Sequence, residues 1–276
     1  MAKLSTEYGL LASSVTGKLS TEYATDGATP AIPTYANTSY LGVTAAANAG
    51  YFETDSLPIA FNESFSYSYW IKMSDIGNRS YLNAFYANLH DGTYDPYNRL
   101  QPIQNQYRGS NQNYFAIGGA FVQYFDPYLD NDVWHNVTVT WSNSNISAST
   151  SITSAILVSN LKLYVDGQKQ NFLFPVGSAT KTGSSVVDKL RIGDCVKNNT
   201  EPSFNLSDVA IWKGSELSAA QVLEIYGTGD PHDIRAVANM PVPSRYYLFE
   251  DVADPTYEEI SQSSAGTVSN GTITLY

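Results

Sequence analysis

Three aspartates stand close together in the segment Phe-Asp-Pro-Tyr-Leu-Asp-Asn-Asp-Val-Trp, at Asp126, Asp130 and Asp132. They are the densest carboxylate cluster in the chain and they directly precede a segment with the pattern of a core strand. Oxygen atoms from loop carboxylates and carbonyls are the ligands that a hard cation such as Ca²⁺ requires. Calcium is therefore the metal that this cluster suits, and solvated loop acids are the alternative.

A second set of residues with binding chemistry lies between Asn88 and Gln112, which we interpret as a long loop. The rings of Tyr94, Tyr97 and Tyr107 offer faces on which a sugar can stack, and the amide of Asn98 can bond to hydroxyl groups. Long loops rich in Tyr and Asn also form protein interfaces and plain surface. Carbohydrate binding is thus one of three interpretations of this segment.

Short strands with period-two alternation must position these residues. Residues 65–73, 134–141 and 161–165 each place apolar side chains on one face, and Asp166-Gly167 has the composition of a type I′ hairpin turn. Many such strands separated by polar turns predict two packed antiparallel sheets. We expect one core between the sheets, containing Phe65, Tyr67, Tyr69, Val137, Val139, Leu163 and Val165.

One short helix is predicted in this otherwise all-β chain, over residues 217–226. Ser218 is its expected N-cap, Val222, Ile225 and Tyr226 form its buried side, and Gly227 ends it.

Composition excludes several classes of function. The formal net charge is −11, and an acidic chain is a poor partner for nucleic acid, whose phosphates are neutralised by Lys and Arg. No apolar run approaches the ~20 residues needed to span a bilayer, so we expect no membrane insertion. The N-terminus also lacks the pattern of a secretory signal, and Cys195 is a single cysteine with no partner for a disulfide.

The order of the strand segments resembles that of laminin-G-like (concanavalin A-like lectin/glucanase) domains. FSYSYWIKM is followed by WHNVTVTW, LKLYVDGQ, LRIGD, FNLSDVAIW and LSAAQVLEIYGTG. Family members carry FTISFWVK, WHHVAVT, LKLYVDG, LRIG and DDVRIWNRALSAEEI segments in that order. The resemblance spans roughly residues 38–230. It implies a two-sheet jelly-roll sandwich, a core position for His135, and a rim calcium site at the aspartate cluster.

The acidic residues do not follow the pattern of glucanases of this fold, whose Glu-x-Asp-x-x-Glu triplet places two carboxyl groups beside one sugar bond. Glu250, Asp251 and Asp254 come nearest, but a solvated turn explains their spacing. Glu258 and Glu259 are adjacent, so their side chains would point to opposite faces of a strand. His90 and His232 stand in presumed loops without a third metal ligand. We therefore expect no enzyme and no catalytic residues.

An N-terminal arm of residues 1–35 precedes the jelly-roll domain of residues 36–276, which includes a C-terminal strand extension. The arm contains the hexapeptide KLSTEY twice, at residues 3–8 and 18–23, and ends in a Pro-containing linker. Its polar composition gives it no core of its own. We expect it to anchor the chain on a repeating neighbour, with Leu4, Tyr8, Leu19 and Tyr23 as contacts, and an inconsequential tether is the alternative.

The C-terminal residues 229–276 resemble the ends of laminin-G-like structural proteins of marine and cyanobacterial phages, although Tyr-Tyr-Leu-Phe stands where Trp residues are usual. The resemblance implies a virion protein: a capsid decoration, fibre, tail or adhesion component. Its expected partners are other virion proteins, copies of itself and host-surface glycans. A free carbohydrate-binding lectin is the alternative, and a degenerate glycoside hydrolase is a third possibility.

Overall fold

The computed structural model describes residues 39–44, 50–73, 85–90, 103–107, 113–117, 119–124, 129, 131–193, 203–249, 257–258, 263–264, 266–269 and 271–275. The chain divides into a unit of residues 1–35 and a unit of residues 36–276, and every described residue belongs to the second. The predicted arm contacts Leu4, Tyr8, Leu19 and Tyr23 therefore lie outside the described residues.

Two large antiparallel sheets form the described part of the chain, and their strands are numbered in chain order. The first sheet contains, in spatial order, β12 (Gln168–Lys169), β11 (Leu161–Val165), β9 (Trp134–Trp141), β4 (Phe65–Met73), β17 (Phe204–Lys213), β1 (Ser39–Val43) and β22 (Gly271–Leu275), and β18 (Arg245–Tyr247) also pairs with β17. The second contains β13 (Phe172–Val176), β8 (Ala120–Tyr124), β7 (Asn113–Ile117), β6 (Ile103–Tyr107), β5 (Phe85–His90), β16 (Lys189–Gly193), β2 (Tyr51–Glu53) and β21 (Thr267–Ser269).

Three small two-stranded pairs and three helical segments complete the described elements. The pairs are β10 (Ser151–Thr153) with β14 (Ser178–Thr182), β15 (Val186–Val187) with β3 (Ile59–Ala60), and β19 (Tyr257–Glu258) with β20 (Ser263–Ser264). The helices are α1 (Ser154–Asn160) and α2 (Ala219–Tyr226), with a 3-10 turn at Ile234–Ala236. Neither α-helix of the described residues is long and apolar enough to cross a lipid bilayer.

The main core lies between the two large sheets, as the period-two alternation predicts. All seven predicted core residues are buried, with at most 5% of any side chain exposed. They pack against Phe52, Leu190, Ile192 and Val122 of the second sheet. The prediction of a jelly-roll sandwich is confirmed.

A second, smaller core forms on the outer face of the first sheet, beneath α2. Val222 and Ile225 of the helix pack there with Trp212, Tyr164 and Tyr246. The predicted capping is confirmed: the Ser218 hydroxyl accepts from the backbone N–H of Gln221, whose side chain bonds back to the Ser218 backbone. Gly227 ends the helix with a φ of 54°.

Helix α1 is a difference from the sequence prediction, which had a single helix. Thr153 caps it by accepting a hydrogen bond from the Ile156 backbone N–H, and Leu157 anchors it in the main core. Leu157 is the one fully buried apolar side chain among its seven residues, so the local sequence lacks the helical spacing of apolar residues. The hairpin prediction is correct, since Asp166 and Gly167 both have positive φ, at 51° and 71°.

The C-terminal strands complete both sheets. Strand β22 pairs with β1 at one end of the first sheet, and β21 pairs with β2 at one end of the second. The end of the chain is thus an integral part of the sandwich.

Candidate functional site

The predicted loop between Asn88 and Gln112 contains strand structure, which corrects that part of the prediction. Strand β5 ends at His90, and β6 spans residues 103–107 in the middle of the second sheet. The run Ile-Gln-Asn-Gln-Tyr has three consecutive amide side chains and no alternation of apolar and polar residues, so its local sequence does not indicate a strand. Tyr107 ends β6, aligned with Phe85.

The other predicted sugar contacts, Tyr94, Tyr97 and Asn98, lie outside the described residues. In the sequence they lie between β5 and β6, which pair with each other in the second sheet. The described residues closest to them along the chain therefore belong to that sheet.

Strand register places Arg191 beside Glu53 on the outer face of the second sheet. Arg191 aligns with Glu53 of β2 on one side and with Asn88 of β5 on the other. Directly opposite residues share one face of an antiparallel sheet. Leu190 and Ile192, which flank Arg191, are buried in the main core, so Arg191 and Glu53 belong to the face directed away from it.

A cluster of charged side chains is built into this face around Glu53, which is 6% exposed. Its carboxylate lies 3.0 Å from His90 Nε2, accepts from Arg191 Nε at 2.7 Å and contacts Lys189 Nζ at 3.3 Å. His90 is itself buried. The expectation of a loop position for His90 is wrong, because the residue ends a strand and is held by a carboxylate distant in sequence.

The neighbours of Glu53 keep its carboxyl group ionised. Burial raises the pKa of Glu53, but the hydrogen bond from His90 and the charge and hydrogen bond of Arg191 outweigh it and lower the pKa from the usual 4.5 to about 2. The cluster is therefore a fixed arrangement of charges near neutral pH.

Tyr51 adds an aromatic surface to the cluster. The guanidinium carbon of Arg191 lies 4.0 Å from the centroid of the Tyr51 ring, in a cation–π contact. Tyr51 and Arg191 are both partly exposed, and Glu53 holds Arg191 from below. A rigid ring beside fixed charged donors can bind a hydroxylated or polar ligand.

Of the predicted calcium ligands, Asp126 and Asp130 lie outside the described residues. Asp132 is described, with a φ of 61° and an exposed carboxylate 3.7 Å from the ammonium of Lys72. Within the described part of the chain, no three His, Cys, Asp or Glu side chains come together as a metal site. The calcium site stays a prediction.

His135, which follows this aspartate segment, is buried at the start of β9. Its Nδ1 atom lies 2.7 Å from Asp166 Oδ2, and its Nε2 atom lies 2.9 Å from Asn131 Oδ1. The same Asp166 carboxylate accepts from the Asn136 backbone N–H at 2.9 Å. His135 thus ties the hairpin turn to β9, consistent with its expected structural position.

Sequence reasoning missed Tyr51, Glu53, Lys189 and Arg191 as site residues. The alternation in Lys-Leu-Arg-Ile-Gly at 189–193 is a signal that the two cations share the polar face of a strand. Nothing local connects them to Glu53 or His90, because the cluster is formed by strand pairing.

Comparison with known proteins gives a family and a set of fold relatives. The sequence profile of the concanavalin A-like lectin/glucanases superfamily matches residues 46–223. No curated protein matches the chain.

Three solved structures to which the chain is similar are distant from it in sequence. A heptameric SAP-like pentraxin from Limulus polyphemus is 13% identical with a TM-score of 0.38, over 75% of this chain and 89% of that one. The binding domain of botulinum neurotoxin serotype G is 14% identical (TM-score 0.36; 70% and 47% covered). Trypanosoma rangeli sialidase is 14% identical (TM-score 0.40; 79% and 38%). The chain spans less than half of the toxin binding domain and of the sialidase.

Proposed function

The chain belongs to the concanavalin A-like lectin/glucanases superfamily, and we propose that it is a non-enzymatic structural protein of a virus particle, as the resemblance of residues 229–276 to phage structural proteins implies. It displays its lectin-like jelly roll for attachment to a surface or glycan, as a capsid decoration, fibre, tail or adhesion component. The observation that carries the binding role is the Tyr51–Arg191 pair, held by Glu53 on the outer face of the second sheet.

The face around Tyr51 has the chemistry that saccharide recognition requires. The aromatic ring supplies a surface for the C–H groups of a sugar, and Arg191 and Lys189 supply donors for its oxygens. Their positions are fixed by Glu53, so little side-chain entropy is lost when a ligand binds.

The state of the buried acids supports a role without catalysis. Glu53 is ionised and bonded to three basic side chains, so it is poorly suited to donate a proton near neutral pH. Asp208, the other buried acid among the described residues, accepts from the Tyr246 hydroxyl at 2.5 Å and from Ser207 at 2.9 Å. Both carboxylates serve the fold.

A glycan array with the full-length chain tests the attachment role. We expect binding to a subset of glycans, and Tyr51→Ala should weaken it about tenfold, equivalent to about 1.4 kcal/mol. Tyr51→Phe should bind nearly as the wild type does, because the ring is retained. Leu223→Ala, at an exposed position of α2, is the control for replacing a large side chain by alanine. A chain that binds no glycan, or a Tyr51→Ala variant that binds normally, would contradict the proposal.

Deletion of residues 1–30 tests the virion role and the anchoring arm. We expect the shortened protein to keep its melting temperature, because the arm has the polar composition of a segment outside a core, and to lose incorporation into particles, because in this proposal the arm supplies the contacts to neighbours. Co-sedimentation with purified particles is the measurement. A full-length chain that binds glycans but never co-sediments would favour the free lectin, and normal incorporation of the deletion variant would refute the arm as anchor.

A further inference from the structure

Five rings form an aromatic strip on the outer face of the first sheet: Tyr40, Trp70, Trp134, Tyr226 and His232. Trp70 and Tyr226 are stacked, with centroids 5.9 Å apart and planes at 17°. His232 meets Trp70 edge-on at 6.4 Å, and Tyr40 meets Trp134 edge-on at 5.9 Å. All but Trp70 are partly exposed, so the strip is reachable from solvent.

Strand register shows that the rings around Trp70 and the Tyr40–Trp134 pair are neighbours. Trp70 aligns with Asn136, and Lys72 aligns with Trp134, on the adjacent strands β4 and β9. Trp70 and Trp134 therefore occupy a diagonal position on one face, where Cα atoms are about 7–8 Å apart and large side chains meet. Tyr69 and Ile71, which flank Trp70, are buried in the main core, so the strip faces away from it.

Among the described residues, the indole N–H of Trp70 has no hydrogen-bond acceptor. The Nε1 atom is buried without a hydrogen-bond partner, whereas the indole N–H groups of Trp141 and Trp212 donate to the carbonyls of Phe61 at 2.8 Å and Pro241 at 2.7 Å. A buried donor without a partner loses its hydrogen bonds to water and gains none in return, which is unfavourable. Such a group marks a place where an acceptor from outside the fold would be stabilised.

His232 is a partly exposed neighbour of Trp70. It packs against Gly227, its ring meets that of Trp70 edge-on, and its Nδ1 atom is 3.0 Å from the Asp230 carbonyl. Because Trp70 is fully buried, a ligand that reaches its donor has to displace one of the rings in contact with it. Tyr226 belongs to α2, whereas His232 lies beyond the end of that helix.

The chemistry around the strip favours an uncharged, hydroxylated ligand. Aromatic faces pack against the C–H groups of a sugar ring, and hydroxyl oxygens accept from an indole N–H. Lys72 and Asp132 stand beside Trp134 as a loose pair at 3.7 Å, and can bond hydroxyl groups as donor and acceptor. The formal net charge of −11 opposes an anionic ligand.

We propose that the aromatic strip is a saccharide-binding site for a neutral oligosaccharide, with His232 as the side chain that closes over the Trp70 donor. The site goes beyond the proposed function because it lies on the sheet opposite to the Tyr51 face. The jelly roll then offers two separate binding faces, and each can be tested without the other.

The four tryptophans provide a direct test by nuclear magnetic resonance. We expect titration of the ¹⁵N-labelled chain with maltohexaose, cellohexaose or laminarihexaose to shift the indole signals of Trp70 and Trp134. The signals of Trp141 and Trp212 should stay in place as internal controls, since both donors are already bonded. No shift at Trp70 and Trp134 with any of the three neutral probes would overturn the proposal.

Variants separate this site from the Tyr51 face and from a structural role. Trp134→Ala should weaken saccharide binding about tenfold. His232→Ala should strengthen binding and speed the exchange of the Trp70 indole proton with solvent, an effect that a purely structural His232 would not produce. Tyr51→Ala should leave the indole shifts unchanged. A shift at Trp134 alone, or one abolished by Tyr51→Ala, would refute the assignment.

Discussion

Replacement of Glu53 by glutamine should lower the free energy of unfolding by about 3 kcal/mol, or about 6–12 °C in melting temperature for a domain of this size. The glutamine keeps the shape of the side chain but removes the negative charge that pairs with Arg191 and Lys189 and that lies beside His90 Nε2. Arg191 is 14% exposed and His90 is 2% exposed, so water cannot replace the lost carboxylate. Lys189 is more accessible to water, which compensates for more of its lost ion pair.

A matched substitution on the surface separates the contribution of the Glu53 site from the general effect of replacing glutamate by glutamine. Glu224→Gln makes the same change at an exposed position of α2, and we expect an effect within about 0.5 kcal/mol. Urea unfolding of both variants beside the wild type gives the comparison. Equal stabilities of the two variants would mean that the charged cluster does not stabilise the fold.

The pH dependence of stability in the wild type and in Glu53→Gln tests the direction of the pKa shift of Glu53. The pKa of Glu53 is about 2 in the folded protein against the usual 4.5, so its contribution is fully present above pH 4.5 and is lost as the pH falls towards 2. The difference in melting temperature between wild type and Glu53→Gln should shrink across this interval. A difference that grows on acidification would contradict the depressed pKa.

The features of the fold that local periodicity encodes could be predicted from the sequence. In β4, Phe65, Tyr67 and Tyr69 alternate with serines, which fixes the face that enters the core. Ser218 and Gly227 fix the ends of α2 through hydrogen bonds that span one helical turn. In each case the decisive interaction lies within a few residues along the chain.

Other elements depend on partners that are distant in sequence. Strand β6 is defined by its pairing with β5 and β7, and its run of glutamines and asparagine has no strand signature of its own. Glu53 and Arg191 are separated by 138 positions along the chain. Their contact follows from the pairing of β2 with β16, which only the topology of the second sheet supplies.

Replacement of Gly193 by alanine should destabilise the protein by about 2–5 kcal/mol, the sum of a backbone term and a packing term. Gly193 ends β16 with a φ of 87°, which L side chains rarely adopt. A Cβ atom there would lie 2.4 Å from the Gly50 carbonyl oxygen and 2.7 Å from the Phe204 ring. The carbonyl is backbone and cannot rotate away.

Gly214→Ala is the control that divides this effect into its two terms. Gly214 has a nearly equal φ of 81°, but a Cβ atom there would meet nothing within 4 Å, so we expect only the backbone term of about 1–2 kcal/mol. The excess in Gly193→Ala, measured by urea unfolding, is the cost of the two close contacts. Equal losses would show that the sheet relaxes around the added methyl group. Because Gly193 aligns with Tyr51, a relaxation that spares stability should instead move Tyr51 and weaken glycan binding.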